Sequence, residues 1–207
     1  MNKISIKNIG KKFRNNWIFR DLSLDIHQGQ HLSVKGNNGS GKSTFLQIVS
    51  GFVTASEGEI QHQFDDSTIQ TDALYKHISF CSPYLDLIDE MSLAENIAFY
   101  GKHKKIYNDF DVDSIIDIAL LTEHREKLYR NFSSGMKQRL KLVLAFMTDS
   151  KMVLFDEPLS NLDDKGFEWY QHMLDQYKND RIFIVCSNNV KEEIAFCNKE
   201  INIADYK

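Results

Sequence analysis

The sequence predicts an α/β fold with a parallel sheet, an antiparallel β-subdomain and an inserted α-helical subdomain. Three observations carry this. The runs "KMVLFDEP" and "RIFIVCS" are continuously apolar strands, each preceded by a helical pattern, as in parallel sheets covered on both faces. The first segment alternates instead, with Ile4, Ile6 and Ile9 followed by Ile18, Leu22, Leu24 and Ile26, the period of half-buried antiparallel strands. Residues 86–135 carry amphipathic helical patterns with polar linkers.

Taken in order, the alternating residues give two antiparallel strands joined by the polar "KKFRNN". "HQGQ" is a turn, and "HLSVKG" is a short strand ending at Gly36. "KSTFLQIVS", Lys42 to Ser50, has helical character and stops at Gly51. "GEIQHQF" reads as a strand, and "HISFCS" at 77–82 as another, ended by Pro83. "MSLAENIAFYGKH" and "DVDSIIDIALLTEH" are amphipathic helices. In "FSSGMKQRL", Ser133 and Ser134 are N-cap residues, and Met136, Leu140, Val143, Leu144 and Met147 then recur at helical spacing. A further helix over roughly 163–178 separates the two buried strands. The expected organisation is one domain, 1–207, with the helical insert near 86–135.

The 207 residues are 42% hydrophobic and 26% charged, enough for a sizeable core. A net charge of −4 argues against non-specific nucleic-acid binding, and no nucleic-acid partner is expected. The longest apolar run, "LKLVLAFM", falls far short of a membrane span, and the first residues lack the apolar stretch of a signal peptide. A soluble, cytosolic location follows as the expectation. Cys81, Cys186 and Cys197 form no CxxC pair, and Cys81 and Cys186 read as buried reduced thiols. The histidines lack ligand spacing, so no histidine metal site is expected.

"GNNGSGKS", Gly36 to Ser43, matches G-x-x-x-x-G-K-[ST] after a strand and at the start of a helix. Gly36, Asn37, Asn38, Gly39, Ser40 and Gly41 form a loop whose N–H groups can curl around phosphate oxygens. Lys42 supplies a point charge, Ser43 a hydroxyl for Mg²⁺, and Thr44 completes the candidate ATP-binding run. This makes the α/β core a P-loop NTPase core. "MVLFDE" then places Asp156 and Glu157 at a strand's carboxyl end, the first suited to Mg²⁺ and the second to general-base work on water. These motifs leave small-molecule kinases and mechanical ATPases both open. The chain has only six arginines and no arginine-rich lid. "FSSGMKQR" adds a second helix N-terminus suited to an anion.

The order P-loop, helical insert, "SSGMKQR", "MVLFDEP", "SNLD" resembles the ATP-binding cassette (ABC) ATPases over essentially the whole chain. Ser133, Ser134, Gly135 and Met136 are similar to the family's signature motif, with Ser134 and Met136 where glycine and glutamine are usual. Ser160, Asn161, Leu162 and Asp163 are similar to its D-loop. The resemblance implies ATP and Mg²⁺ as ligands, the latter held by Ser43 and Asp156. It implies head-to-tail pairing with a second ABC subunit, identical or not, in which the signature of one caps the γ-phosphate on the P-loop of the other. It also implies a separate transmembrane permease, with this chain peripheral on the cytoplasmic face.

Phe13 falls where the family stacks an aromatic ring on adenine; a core packing role, with Trp17 as competitor, is the alternative. Two positions depart from the pattern. Pro83 stands near the usual glutamine that touches Mg²⁺ and water, and it offers no side-chain donor or acceptor. Asn188 stands at the usual histidine that contacts the γ-phosphate, and is assigned as catalytic with Glu157. The reading is an ATP-hydrolysing transporter subunit. The alternatives are a regulatory or slow-hydrolysing ABC subunit, or a soluble ABC ATPase outside transport.

Overall fold

The computed structural model describes residues 1–107, 110–188 and 190–207. Along the chain run β1 (Lys3–Phe13), β2 (Asn16–His27), β3 (His31–Lys35), α1 (Lys42–Val49), β4 (Glu57–Phe64), β5 (Ser67–Ile69) and β6 (Ile78–Cys81). There follow α2 (Leu93–His103), α3 (Val112–Ile118), α4 (Ser134–Met147), β7 (Met152–Asp156), α5 (Asp164–Tyr177), β8 (Ile182–Ser187), α6 (Lys191–Ile194) and β9 (Lys199–Asn202). They fall into two compact units. The first comprises Met1–Ile78, Lys151–Glu157 and Asn179–Lys207, and the second Ser79–Ser150 and Pro158–Lys178.

The first unit holds an antiparallel sheet in the order β2-β1-β4-β5 and the parallel strands β7-β8-β3-β9. The β1–β2 pairing runs to Phe13↔Asn16, so the turn is only Arg14 and Asn15, tighter than the expected polar linker. Lys11 and Lys12 stay in the strand because solvent-facing strand positions tolerate polar residues, and Phe13, an aromatic suited to strands, pairs with Asn16. Every residue of β7 and β8 is buried, as the continuous apolar runs require. β5, α6 and β9 are not legible in the sequence. β9 carries a single buried residue, Ile201, and exists because β3 offers an open edge to pair with. On α1, Phe45 is fully buried edge-on against Phe19, centroids 6.2 Å apart. Truncating it to alanine would cost about 3–5 kcal/mol.

In the second unit, α2 opens with a capping box: Glu95 N donates to Ser92 Oγ (3.2 Å), and Ser92 N donates to Glu95 Oε2 (2.8 Å). The bond from Ser92 N, with the Ser92 hydroxyl beside it, holds the Glu95 carboxyl below its ordinary range. The helix expected over "DVDSIIDIALLTEH" is shorter than its pattern. α3 stops at Ile118, and a separate 3₁₀ turn spans Thr122–His124. Leu120 takes φ 56°, Leu120 N donates to Asp117 O (2.9 Å), and Leu121 N to Ile116 O (3.1 Å). Those are the paired closing bonds of a Schellman cap. Trp169 Nε1 also donates to Ile118 O (2.8 Å), satisfying a last-turn carbonyl.

α4 organises the rest of this unit. Ser133 caps it, accepting from Met136 N at 3.3 Å. Buried Gln138 donates from Nε2 to Pro158 O (2.7 Å). Gly135 lies so close to the 160–163 segment that an added Cβ would stand 2.9 Å from Asn161 O. Asp163 in turn caps α5 by accepting from Gly166 N (2.9 Å). Toward the start of the unit, Lys141 Nζ donates to Ser82 O (3.1 Å) and lies 3.5 Å from Asp86, which also accepts from Tyr129 Oη (2.9 Å).

Two stability predictions follow from this packing. Gly101 in α2 has nothing within 4 Å of an added Cβ. Gly101→Ala should therefore gain up to about 1 kcal/mol from helix propensity. At Gly135 the same gain is opposed by overpacking, and Gly135→Ala should lose about 1 kcal/mol. Urea midpoints of the two variants check the contrast.

The second concerns His62, buried with its Nε2 at 2.9 Å from Val49 O. Burial pushes this ring down from 6.5 to about 4, the bond to Val49 opposing it. The neutral ring is thus favoured in the fold. Its contribution is complete above pH 6.5 and is lost as pH falls toward 4, by at most ~1.4 kcal/mol per pH unit. His62→Gln should flatten the fall in stability across that window relative to the parent. Equal slopes in urea titrations would refute the assignment.

Candidate functional site

β3 is buried until Lys35, and the chain then turns through Gly36 at φ 146° and Gly41 at φ 111° into α1. Both positions exclude a side chain. A Cβ on Gly36 would meet Ser40 Oγ at 2.5 Å and Ile203 Cγ2 at 2.9 Å, and one on Gly41 would meet Ile18 Cγ2 at 2.5 Å. Asn37, Asn38 and Gly39 are exposed at the crest, while Ser43 and Thr44 are half-buried in the first turn of α1. Lys42 is only 5% exposed and folds its ammonium back over the loop, donating to Gly36 O (2.7 Å) and Asn37 O (3.3 Å). The Ser40 hydroxyl is buried without a hydrogen-bond partner. A concave loop with a fixed cation, a helix N-terminus behind it and an unsatisfied donor has the chemistry of a phosphate cradle.

Parallel register brings the other candidates to this edge. Val34 pairs with Cys186 and Lys35 with Ser187, while Asp156 pairs with Cys186 across β7 and β8. Gly36, Glu157 and Asn188 therefore all leave the carboxyl ends of adjacent strands. Asp156 is buried at the end of β7. Glu157 is half-buried, with φ 49° and its N–H donating to Cys186 O (2.9 Å). Asn188 is exposed just beyond β8. The Ser43 hydroxyl and the Asp156 carboxylate are hard oxygen donors, a set that fits Mg²⁺.

Cys186 is a residue whose place at the site the sequence did not signal. Its thiol lies 3.4 Å from Lys42 O, and burial, reinforced by the Asp156 charge, pushes it well above its ordinary range. It is a neutral, inert floor beneath the loop. Phe13 does not pack in the core: it is 51% exposed, with Lys11 Nζ 5.0 Å from the ring centroid. Trp17 is half-buried, flanked by Arg20 and Lys12.

The signature-like and D-loop-like segments meet in the second unit. Ser133, Ser134, Gly135 and Met136 line a cavity of about 450 Å³ together with Asn161, Leu162 and Asp163. Ser160 adjoins that wall, half-buried. Arg139, His124, Leu120 and Leu121 complete the lining, and the last three come from the helix-cap region that the sequence pattern did not resolve. Arg139 and the α4 N-terminus bring positive charge to this cavity, and its one carboxylate, Asp163, is engaged by Gly166 N, a balance that suits an anion. Pro83 belongs to the same unit, beside exposed Tyr84 and Leu85.

Residues 19–160 match the family described as "ABC transporter". The chain is 32% identical over 198 residues to the ABC transporter ATP-binding protein YybJ of Bacillus subtilis, covering 92% of this chain and 87% of that one. It is 29% identical over 194 residues to ATP-binding cassette sub-family A member 7 of Rattus norvegicus, covering 91% of this chain but only 9% of the relative. A solved ATP-binding cassette dimer, in a post-hydrolysis state bound to ADP and Pi, superposes with TM-score 0.81 at 22% identity. That match covers 96% of this chain and 93% of the other. The chain belongs to the ABC transporter family.

Proposed function

We propose that the Gly36–Thr44 loop binds Mg-ATP and that the chain hydrolyses it to drive a separate membrane permease. The observation that carries this is the strand register that puts Gly36, Asp156–Glu157 and Asn188 at one edge of one sheet. Lys42 neutralises the β/γ-phosphates, and Ser43 and Asp156 would hold the metal, which would supply Lewis-acid charge to the phosphate oxygens. Glu157 accepts a proton from water as the water oxygen attacks the γ-phosphorus. The bond to the bridging oxygen breaks, leaving ADP and phosphate. Asn188 donates an amide N–H to a γ-phosphate oxygen, and Phe13, exposed, stacks on adenine.

The Ser133–Met136 cavity serves the nucleotide of a second ABC subunit, paired head to tail, with a further copy of this chain as the simplest partner. Its anion-suited lining supports that reading. No helix among the described residues is long and apolar enough to cross a membrane, which fits a subunit lying peripherally on the cytoplasmic face. The segment Pro83–Tyr100 is the permease contact; Tyr84, 82% exposed, and Leu85, 42% exposed, are its apolar tip. A regulatory subunit that binds without efficient turnover is the second reading, favoured by Pro83 and Asn188 at the divergent positions.

Lys42→Ala should lose most nucleotide affinity in a titration; unchanged binding would refute the loop assignment. Glu157→Gln should lower turnover ~10²- to 10⁴-fold while ATP stays bound. Asn188→Ala should cost less, about 1–3 kcal/mol of transition-state stabilisation, and Asn188→His should keep or raise the parent rate. Absence of parent turnover in the permease complex would favour the regulatory reading. Cysteines at Tyr84 and Leu85 should cross-link to the permease in membranes; failure of both would exclude that contact.

A further inference from the structure

Among the described residues, Leu120 is the only apolar non-glycine with a positive φ; apart from Arg14 and Glu157, the rest are asparagine or aspartate. Those types tolerate the left-handed region because their short polar side chains bond locally, whereas leucine is strained there. Leu120 occupies the cap position where glycine would serve without strain. Its neighbour Leu121 and Ile116 are buried and close the cap, but Leu120 is 61% exposed. Within this chain its side chain thus costs conformational energy and gains little burial. What it does is form one wall of the cavity that also holds Ser133–Met136 and Asn161–Asp163.

We propose that Leu120 is an interface residue that packs against a second copy of this chain as that copy presents its bound nucleotide to this cavity. The inference rests on the head-to-tail pairing proposed above. Charge argues for that occupant. The cavity's polar side carries Arg139 and the positive end of α4, with the Asp163 carboxylate engaged in capping α5, matching a loop loaded with phosphate. Leu120, Leu121 and Met136 supply apolar lining for the less polar groups that arrive with it. Glu157, the candidate general base, is also held at positive φ, so two of the three such residues other than asparagine and aspartate stand at candidate sites, the third being Arg14 in the β1–β2 turn.

The test uses the full chain carrying Glu157→Gln, whose Mg-ATP-dependent self-association is followed by sedimentation. Adding Leu120→Gly should raise the melting temperature of the ATP-free protein by about 2–4 °C, as strain is relieved. It should also weaken the ATP-bound dimer at least about tenfold. Leu120→Asn, tolerant of the same backbone but polar, should weaken it similarly, and Leu120→Met should retain it. Nucleotide affinity of the monomer should not change. Dimerisation at parent strength by both Leu120→Gly and Leu120→Asn, or a fall in melting temperature for Leu120→Gly, would overturn the proposal. If Glu157→Gln alone binds Mg-ATP but never self-associates, the pairing reading fails and this inference falls with it.

Discussion

A single line of parallel pairing, Asp156 to Cys186 to Val34, positions most of the first unit's chemistry. Parallel strands point the same way, so their carboxyl ends share an edge, and residues leaving those ends converge without loop ordering. The burial of every residue in β7 and β8 makes the register stiff. A one-residue slip would carry Asp156 out of line with Cys186 and the P-loop strand. Cys186 fits this frame as a small apolar filler: it is central in the row, contacts the first residue of α1, and stays neutral because burial and Asp156 both disfavour its thiolate.

How far the sequence could be read depended on whether a residue's reason was local. The glycines of the 36–41 loop were legible because their backbone demands them, and the added-Cβ contacts at Gly36 and Gly41 are those demands in space. Ser133 was legible as a cap for the same kind of reason. β9 was not, because its pairing comes from β3's open edge rather than from its own residues. Nor was the end of α3, since leucine stands where glycine would have marked the stop. The wall contributed by His124 and Leu120 to the second cavity was hidden with it.

The two units hold their candidate sites by different means. In the first, strand register and steric exclusion at glycine do the work. In the second, α4 is the organiser: its N-terminus lines the cavity, Gln138 fixes Pro158, and Lys141 ties down Ser82 and Asp86. The Gln138 and Lys141–Ser82 ties are buried or half-buried, so they specify position more than they add stability, while Asp86 is exposed.

The strand order also sets a schedule for folding. β3 is flanked by β8 and β9, whose pairing residues lie about 150 or more positions later in the chain, and Gly36 is packed by Ile203. Loop closure of that span precedes any reward from the sheet, which makes such pairings slow. During synthesis from the N-terminus, the β1–β2 hairpin and α2–α4 can assemble from nearby residues. The P-loop strand must wait with its edges open until β8 and β9 emerge. The phosphate cradle therefore forms only after β8 and β9 are available, and nascent chains expose an apolar parallel edge, a risk for association with other unfinished chains.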